Sequence, residues 1–387
     1  MKKIALLELQ EHQEVLYGLI DLLLLQAVEI YVFAPAYMYE QLKTEWLENE
    51  RLHWTSKLPE ESIPQFIRGV KTQLEMVDLI VFTTLVNNFA FFARQTFTPP
   101  TVLLIHKGNA FLAPQSNLSI QNLADALRYL RSLWRRADFF RKKLLEKTSY
   151  LSFTDPLIEA HLRPLVPHFV QCLPTLPFTH FTPTFPQSNT PIQIVVPGTV
   201  SALTRDFELL FSALQKVDAQ LNTAATLLFL GKASGPRARL LFDLVQNSHF
   251  LNISIQTFSS VLPEQEYHKQ LQGADFLLLP LREKIQFGTT REWYGKTSIS
   301  GGVNDMLRYG KPTLLPDFYP LDPSLQNLTG RFHNAESLAD LLLKWVNERY
   351  YLSLAEQAPA LLASFAKAQR SHTLMEILKA AFNFIEK

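Results

Sequence analysis

A single cysteine, Cys172, stands among 387 residues. That excludes an internal disulfide framework and a cysteine-rich zinc site. Glycine is scarce as well: 13 residues, where the usual share of about 7 % would give roughly twice as many. An excess of one charge sign is missing too. The 37 Lys and Arg nearly cancel the 36 Asp and Glu, leaving +1, which argues against bulk nucleic-acid binding. Long apolar runs are absent. The most apolar stretch, Leu16 to Ala34, is interrupted by Asp21, Gln26 and Glu29, so a spanning helix is not expected there. The opening Met1-Lys2-Lys3 leads into Ile4-Ala5-Leu6-Leu7 and breaks at Glu8, too short for the core of a secretory signal. The chain therefore reads as cytoplasmic, with peripheral contact at the inner face of a membrane left open.

What is present points to a folded, two-domain chain. Hydrophobic residues reach 47 % and aromatic ones 12 %, which excludes intrinsic disorder. The length exceeds one comfortable core. Short apolar runs alternate with amphipathic stretches. Strands are expected at 4–9, 28–34, 79–84, 101–106 and 150–153, then at 192–197, 226–230, 253–258, 276–280 and 313–316. Most are apolar on both alternations, as in a parallel sheet covered on both faces. Between them, Asp206 to Val217 places Phe207, Leu210, Phe211, Leu214 and Val217 on one stripe; 237–245 and 337–346 read alike. Strand–helix alternation, twice over, predicts an α/β fold of two doubly wound, Rossmann-like domains. Thr175 to Pro191 is rich in Pro and Thr, without acidic residues, Lys or Arg, and reads as a linker. The expected domains are 1–180 and 190–370. Beyond Tyr351 the chain reads as helix, with Pro359 a break or helix start, and a helix over about 370–387 can pack back on the first domain.

The scarce glycines are also unevenly placed. Three (Gly18, Gly69, Gly108) fall in the first half, and ten run from Gly198 to Gly330. Close backbone approach to a ligand is thus expected in the second half. There, Val196-Pro197-Gly198 is followed by Arg205-Asp206 and a helix, then by Leu230-Gly231 and by Pro263-Glu264-Gln265-Glu266-Tyr267. Ala274 to Pro280 and Ser300-Gly301-Gly302-Val303-Asn304-Asp305 follow, the last running on to Gly310-Lys311-Pro312. This succession resembles the donor domain of GT-B glycosyltransferases, most closely glycosyltransferase family 4, over roughly half the chain. The resemblance implies two Rossmann-like domains facing a cleft, a nucleotide diphosphate sugar as donor, a saccharide or lipid-linked acceptor in glycan or polysaccharide biosynthesis, and no required metal or cofactor.

Physics and resemblance converge on the glycine-rich helix start. Ser300, Gly301 and Gly302 would cradle a diphosphate where free N–H groups and the helix dipole favour anions; ordinary caps at Ser300 and Gly310 are the plain alternative. Gly198 and Thr199 would join them. Arg205, seven residues after Gly198, would neutralise leaving-group charge, with Lys232 and Lys296 as further cations. Arg205 could instead be paired with Asp206 at a helix start. The resemblance implies two glutamates eight positions apart. The second place holds Asp305, a shorter group able to accept from ribose hydroxyls, or simply a helix-start acid. The first holds Thr297, a departure that puts the sugar-orienting carboxylate and retention of configuration in doubt. Glu292, in the long loop Arg282–Ile299, could take over that task or be an ordinary solvated charge.

In the first domain, His106 ends a strand, where ligands bind in open α/β sheets, and is expected to meet the transferred sugar or the acceptor. Gln10, Glu11, His12 and Glu14 follow the first strand without a dinucleotide fingerprint; His12 and Glu14 are candidate acceptor contacts. No HExxH and no paired Asp-x-Asp appear, so no metal site is expected. Gln121 to Lys147 is basic and amphipathic, either a solvated helix face or an anionic-membrane contact. Two other function classes stay open: a non-catalytic nucleotide- or partner-binding subunit, and a sugar-nucleotide epimerase, for which no convincing acid/base carboxylate pair is apparent.

Overall fold

The structure is a computed structural model that describes residues 1–10, 12–46, 49–166, 172–174, 191–233, 235 and 238–382. The expected linker, apart from Pro191, lies outside the described residues, as do Glu11 and Arg237. The chain divides into two compact units. One comprises Met1–Pro177, Phe287–Glu292 and Phe365–Lys387; the other comprises Phe178–Gln286 and Trp293–Ser364.

In the first unit, β1 (Lys2–Glu8), β2 (Val28–Pro35), β3 (Leu52–Lys57), β4 (Leu79–Thr84), β5 (Thr101–Ile105) and β6 (Tyr150–Phe153) form one parallel sheet. Its order is β3-β2-β1-β4-β5-β6. This is the doubly wound order, in which strand direction sets the ligand side at the carboxyl ends. The inner strands are apolar on both faces because helices cover both. All six residues of β4 are buried. Each buried Leu, Ile or Val of such a strand contributes about 1.5–3 kcal/mol. A register shift between Leu7 and Glu8 marks a bulge at the end of β1, which re-aims the side chain of Glu8.

The helix Lys367–Phe382 packs on the helix Gln13–Leu23. Ser371 donates to the Leu22 carbonyl at 2.7 Å, Gln26 donates to Ser371 at 2.6 Å, and Lys367 pairs with Asp21 at 2.5 Å.

The second unit repeats the plan. β7 (Ile192–Val196), β8 (Ala225–Lys232), β9 (Ile253–Phe258), β10 (Phe276–Leu278), β13 (Thr313–Pro316) and β14 (Thr329–Phe332) are parallel, in the order β9-β8-β7-β10-β13-β14. The expected loop Arg282–Ile299 instead holds a two-stranded piece, β11 (Lys284–Phe287) with β12 (Thr290–Trp293).

Several expectations are corrected. The strands β3 and β14 were not anticipated, because both are sheet edges with polar residues (LHWTSK and TGRF) and lack an apolar run. The basic stretch 121–147 is two helices, Leu123–Trp134 and Ala137–Lys147, divided at Arg136, whose φ of 52° cannot continue a right-handed helix. Pro359 neither starts nor immediately breaks a helix. It sits in the last turn of Tyr351–Leu361, two residues before the end.

Candidate functional site

The second unit gathers its candidate residues at the carboxyl ends of β7, β8 and β10. Pro197 and Gly198 follow β7. Gly198 has a φ of +79°, a conformation that side chains rarely adopt. A Cβ built on Gly231, near the end of β8, would stand 2.1 Å from the Gly198 carbonyl oxygen, so the two loops cross with no room for a side chain.

Arg205 is 4 % exposed. Its Nη2 donates to the Pro197 carbonyl at 2.7 Å, whereas Nε and Nη1 are buried and have no hydrogen-bond partner. The pairing with Asp206 does not form. Asp206 instead caps its helix at the Leu209 amide, 3.2 Å, and lies 3.6 Å from Arg282. Burial lowers the Arg205 pKa, and Tyr294, Tyr267 and Asp305 act in the opposite direction. A guanidinium nevertheless stays charged. Leaving two of its donors buried and unpaired is unfavourable in a resting protein, and it is what an anion-binding group would show before its anion arrives.

Asp305 lies on the helix Gly301–Tyr309. Tyr267 donates its hydroxyl to Asp305 Oδ2 at 2.8 Å, and the Gly198 amide hydrogen-bonds Tyr267. A chain of polar contacts thus runs from the end of β7 to the middle of that helix. Burial pushes the Asp305 pKa up to about 6, with Tyr267, Arg308, His268 and Arg205 opposing. Asp305 is the fifth residue of its helix, so it is not a first-turn acid placed for the dipole. Asn304 beside it has its Oδ1 buried and without a partner.

At the helix start, Ser300 occupies the cap position but makes no side-chain capping bond. The first-turn N–H groups are therefore not satisfied by an ordinary cap. The two glycines differ in kind. A Cβ on Gly301 would meet nothing within 4 Å, whereas one on Gly302 would meet Leu279 Cδ2 at 2.5 Å and Pro197 Cγ at 3.3 Å. Gly302 is small because it packs, and Gly301 faces open space. Gly310 ends the helix with φ 58°.

The remaining second-unit candidates are less committed. Thr199 and Lys232 are exposed. Lys296 is paired with Glu283 at 3.2 Å. Thr297 is 2 % exposed, and its hydroxyl accepts from the Trp293 amide at 2.8 Å, so it locks a turn.

Glu292 is not a solvated loop charge. It is 0 % exposed, and its carboxylate accepts from the Ala110 amide at 2.7 Å and the Asn109 amide at 3.2 Å. Asn109 in turn donates to the Arg291 carbonyl at 3.0 Å. All of these residues belong to the first unit. The carboxylate fixes the short helix Gly108–Leu112 and is not free to orient a sugar.

The first-unit candidates meet at the carboxyl ends of β1, β4 and β5. The rings of His12 and His106 stack, with centroids 3.9 Å apart and planes 13° from parallel. His106 Nε2 lies 2.7 Å from the Thr83 carbonyl and 3.4 Å from Thr84 Oγ1. A carbonyl only accepts, so Nε2 carries the proton and Nδ1 keeps its lone pair. Burial first, and the His12 charge second, push the His106 pKa down to about 3. His12 is shifted the other way. Burial would lower it, but its 2.9 Å hydrogen bond to Glu14 and the charges of Glu14 and Glu8 raise it. In the sequence Glu8 does no more than end an apolar run. It is buried, accepting from Thr83 Oγ1 at 2.8 Å and the Gln10 amide at 2.7 Å. Tyr267 and Glu8 are thus the residues sequence reasoning missed. For Glu8 the signal was a lone carboxylate closing an otherwise apolar strand.

No protein-family model and no curated protein matches the sequence. Solved structures do. Anabaena Alr3699/HepE, solved with UDP and glucose, aligns with a TM-score of 0.61 at 13 % identity, over 98 % of this chain and 100 % of that one. TarM aligns with a TM-score of 0.65 at 8 % identity, over 99 % of each chain. S. aureus MnaA, solved with UDP, aligns with a TM-score of 0.53 at 12 % identity, over 100 % of this chain and 98 % of that one. At such identities the likeness is one of fold. The two six-stranded parallel sheets, each flanked by helices, are the Rossmann-like pair of the GT-B architecture.

Proposed function

We propose that this GT-B chain is a glycosyltransferase that takes its sugar from a nucleotide diphosphate donor and delivers it to a saccharide or lipid-linked acceptor. The observation that carries the reading is Arg205, a buried guanidinium with two unpaired N–H donors in a unit that also presents an uncapped helix start with open space at Gly301. Both features favour an anion, and a diphosphate supplies enough oxygens for both. UDP in the similarly folded HepE and MnaA is consistent with this.

In the reaction the bond between the sugar's anomeric carbon and the diphosphate oxygen breaks while the acceptor oxygen bonds that carbon, and the acceptor's hydroxyl proton leaves with the departing diphosphate. Charge develops on the departing diphosphate. Arg205 and the amides at Gly301 and Gly302 stabilise that charge in place, which lowers the barrier. Ser300, Gly198 and Thr199 line the donor side, with Lys232 and Lys296 as outer cations. Asp305 accepts from the ribose through Oδ1 while Tyr267 holds Oδ2. On the acceptor side, His106 offers the lone pair of Nδ1 to a hydroxyl, and His12 and Glu14 bind neighbouring hydroxyls. With Thr297 locked in its turn and Glu292 bound to amides, the donor sugar lacks the carboxylate expected from family 4.

That last observation favours one alternative, a non-catalytic nucleotide-binding subunit. Incubation with a panel of nucleotide diphosphate sugars, with and without saccharide and lipid-linked acceptors, separates the readings. Release of nucleoside diphosphate together with a glycosylated acceptor supports transfer. Nucleotide binding with neither product supports the alternative, and an isomerised donor formed without acceptor indicates an epimerase.

A further inference from the structure

The helix Leu123–Trp134 carries its apolar residues outward. At about 100° per residue, Leu123, Leu127, Leu130 and Trp134 fall in a sector of about 60°, and they are 76 %, 59 %, 59 % and 83 % exposed. Asp125, by contrast, is buried, and it accepts from Arg128 at 2.8 Å and from the Gln121 amide at 3.3 Å. This reverses the usual arrangement of a helix on a water-soluble domain. Ile120, Leu133 and Phe139 are also exposed and extend the patch.

Around this stripe positive charge predominates. Arg128, Arg131, Arg135, Arg136, Lys142 and Lys143 are exposed. Of the carboxylates on these two helices, Asp125 is taken by Arg128 and Asp138 by Arg141, the latter at 2.7 Å, and Glu146 is exposed near the end of the second. An apolar row ending in Trp134, rimmed by long cationic side chains, matches the two layers of an anionic bilayer surface. The leucines and tryptophan suit the acyl boundary, and the arginines and lysines suit the phosphates above it. No helix among the described residues is long and apolar enough to cross a membrane.

We propose that this helix lies in the interface of an anionic lipid bilayer, with Leu127, Leu130 and Trp134 inserted and Arg131, Arg135 and Lys142 at the headgroups. The surface is independent of the transferase reading and would hold if that reading failed.

The full chain is to be sedimented with phosphatidylcholine vesicles, with and without phosphatidylglycerol, at low and high salt. Binding is expected with phosphatidylglycerol at low salt, weakening as salt screens the headgroups. Leu130→Ser or Trp134→Ser should each reduce partitioning about tenfold. Arg131→Gln should reduce it about fivefold. These residues are exposed, so thermal midpoints should not move. The emission of Trp134, taken as the difference from Trp134→Phe, should shift to the blue on anionic vesicles. Absence of binding to anionic vesicles at low salt overturns the proposal. So does a Leu130→Ser, Trp134→Ser double variant that binds like the unmodified chain. Capture of the chain by an acidic polypeptide but not by vesicles overturns it equally.

Discussion

Tyr267 donates a hydrogen bond from its hydroxyl to Asp305 at 2.8 Å, across 38 positions of sequence, and so ties the helix after β9 to the helix whose start is proposed to hold a diphosphate. The bond occupies one carboxylate oxygen and fixes the direction of the other. It also sets the first prediction, because Asp305 sits in surroundings that resist its charge.

Asp305 has a folded pKa of about 6 against an ordinary 3.8. Between those values the folded chain holds a proton that the unfolded chain has released. Stability must therefore fall as pH rises from about 4 to 6 and stay lower above that, by an amount on the order of 3 kcal/mol. Asp305→Asn keeps an acceptor for Tyr267 but removes the charge. It should be more stable than the unmodified chain at pH 7 and lose this part of the pH slope, measured by urea denaturation from pH 4 to 8. Its affinity for nucleoside diphosphate should fall by about 1–2 kcal/mol, as a charge-assisted bond to ribose is weakened.

Arg205 is expected to show opposite effects on stability and activity. Its unpaired Nε and Nη1 make it a burden in the unliganded chain. Arg205→Met should leave the thermal midpoint unchanged or raise it, while lowering kcat about 10²–10³-fold. Differential scanning calorimetry and initial rates on the same preparation check both halves.

The two stacked histidines differ in how they titrate. His106, with its pKa at about 3, stays neutral across the working range and should contribute no limb to a pH–rate profile between pH 5 and 8. A limb in that range above the ordinary 6.5 belongs to His12, whose pKa Glu14 and Glu8 raise against the effect of burial. His12→Gln should remove the limb. His106→Gln, which removes the Nδ1 acceptor, should raise the acceptor KM about tenfold without moving the limb.

Glu292 is predicted to matter for stability rather than for the donor. The two carboxylate oxygens accept from one amide each, so Glu292→Gln sets its N–H₂ against one of these donors in a buried site. It should lose about 1–3 kcal/mol in urea denaturation, with the nucleoside diphosphate affinity unchanged.

How far the residues disclosed all this depends on how local each signal is. β4, β6, β9 and β13 were legible to the residue, since each is a compact apolar or β-branched run between turn signals. β3 and β14 were not, because an edge strand needs no apolar run. Arg205 was legible as a cation seven residues after Gly198, but its burial and its unpaired Nε and Nη1 were not. The Tyr267–Asp305 bond was not, since neither residue is unusual until folding joins them. Glu292 was misjudged for the same reason: its partners Asn109 and Ala110 lie 183 and 182 positions away, and a carboxylate in a charged loop looks solvated from its neighbours alone.

Titration calorimetry of the unmodified chain and of Arg205→Met against UDP, GDP, ADP and dTDP bears most directly on the donor site. At least one nucleoside diphosphate should bind the unmodified chain saturably, and Arg205→Met should lose that binding while remaining folded. If none of the four binds, or if Arg205→Met binds as tightly as the unmodified chain, the assignment of the diphosphate to Arg205 and the Gly301–Tyr309 helix is contradicted.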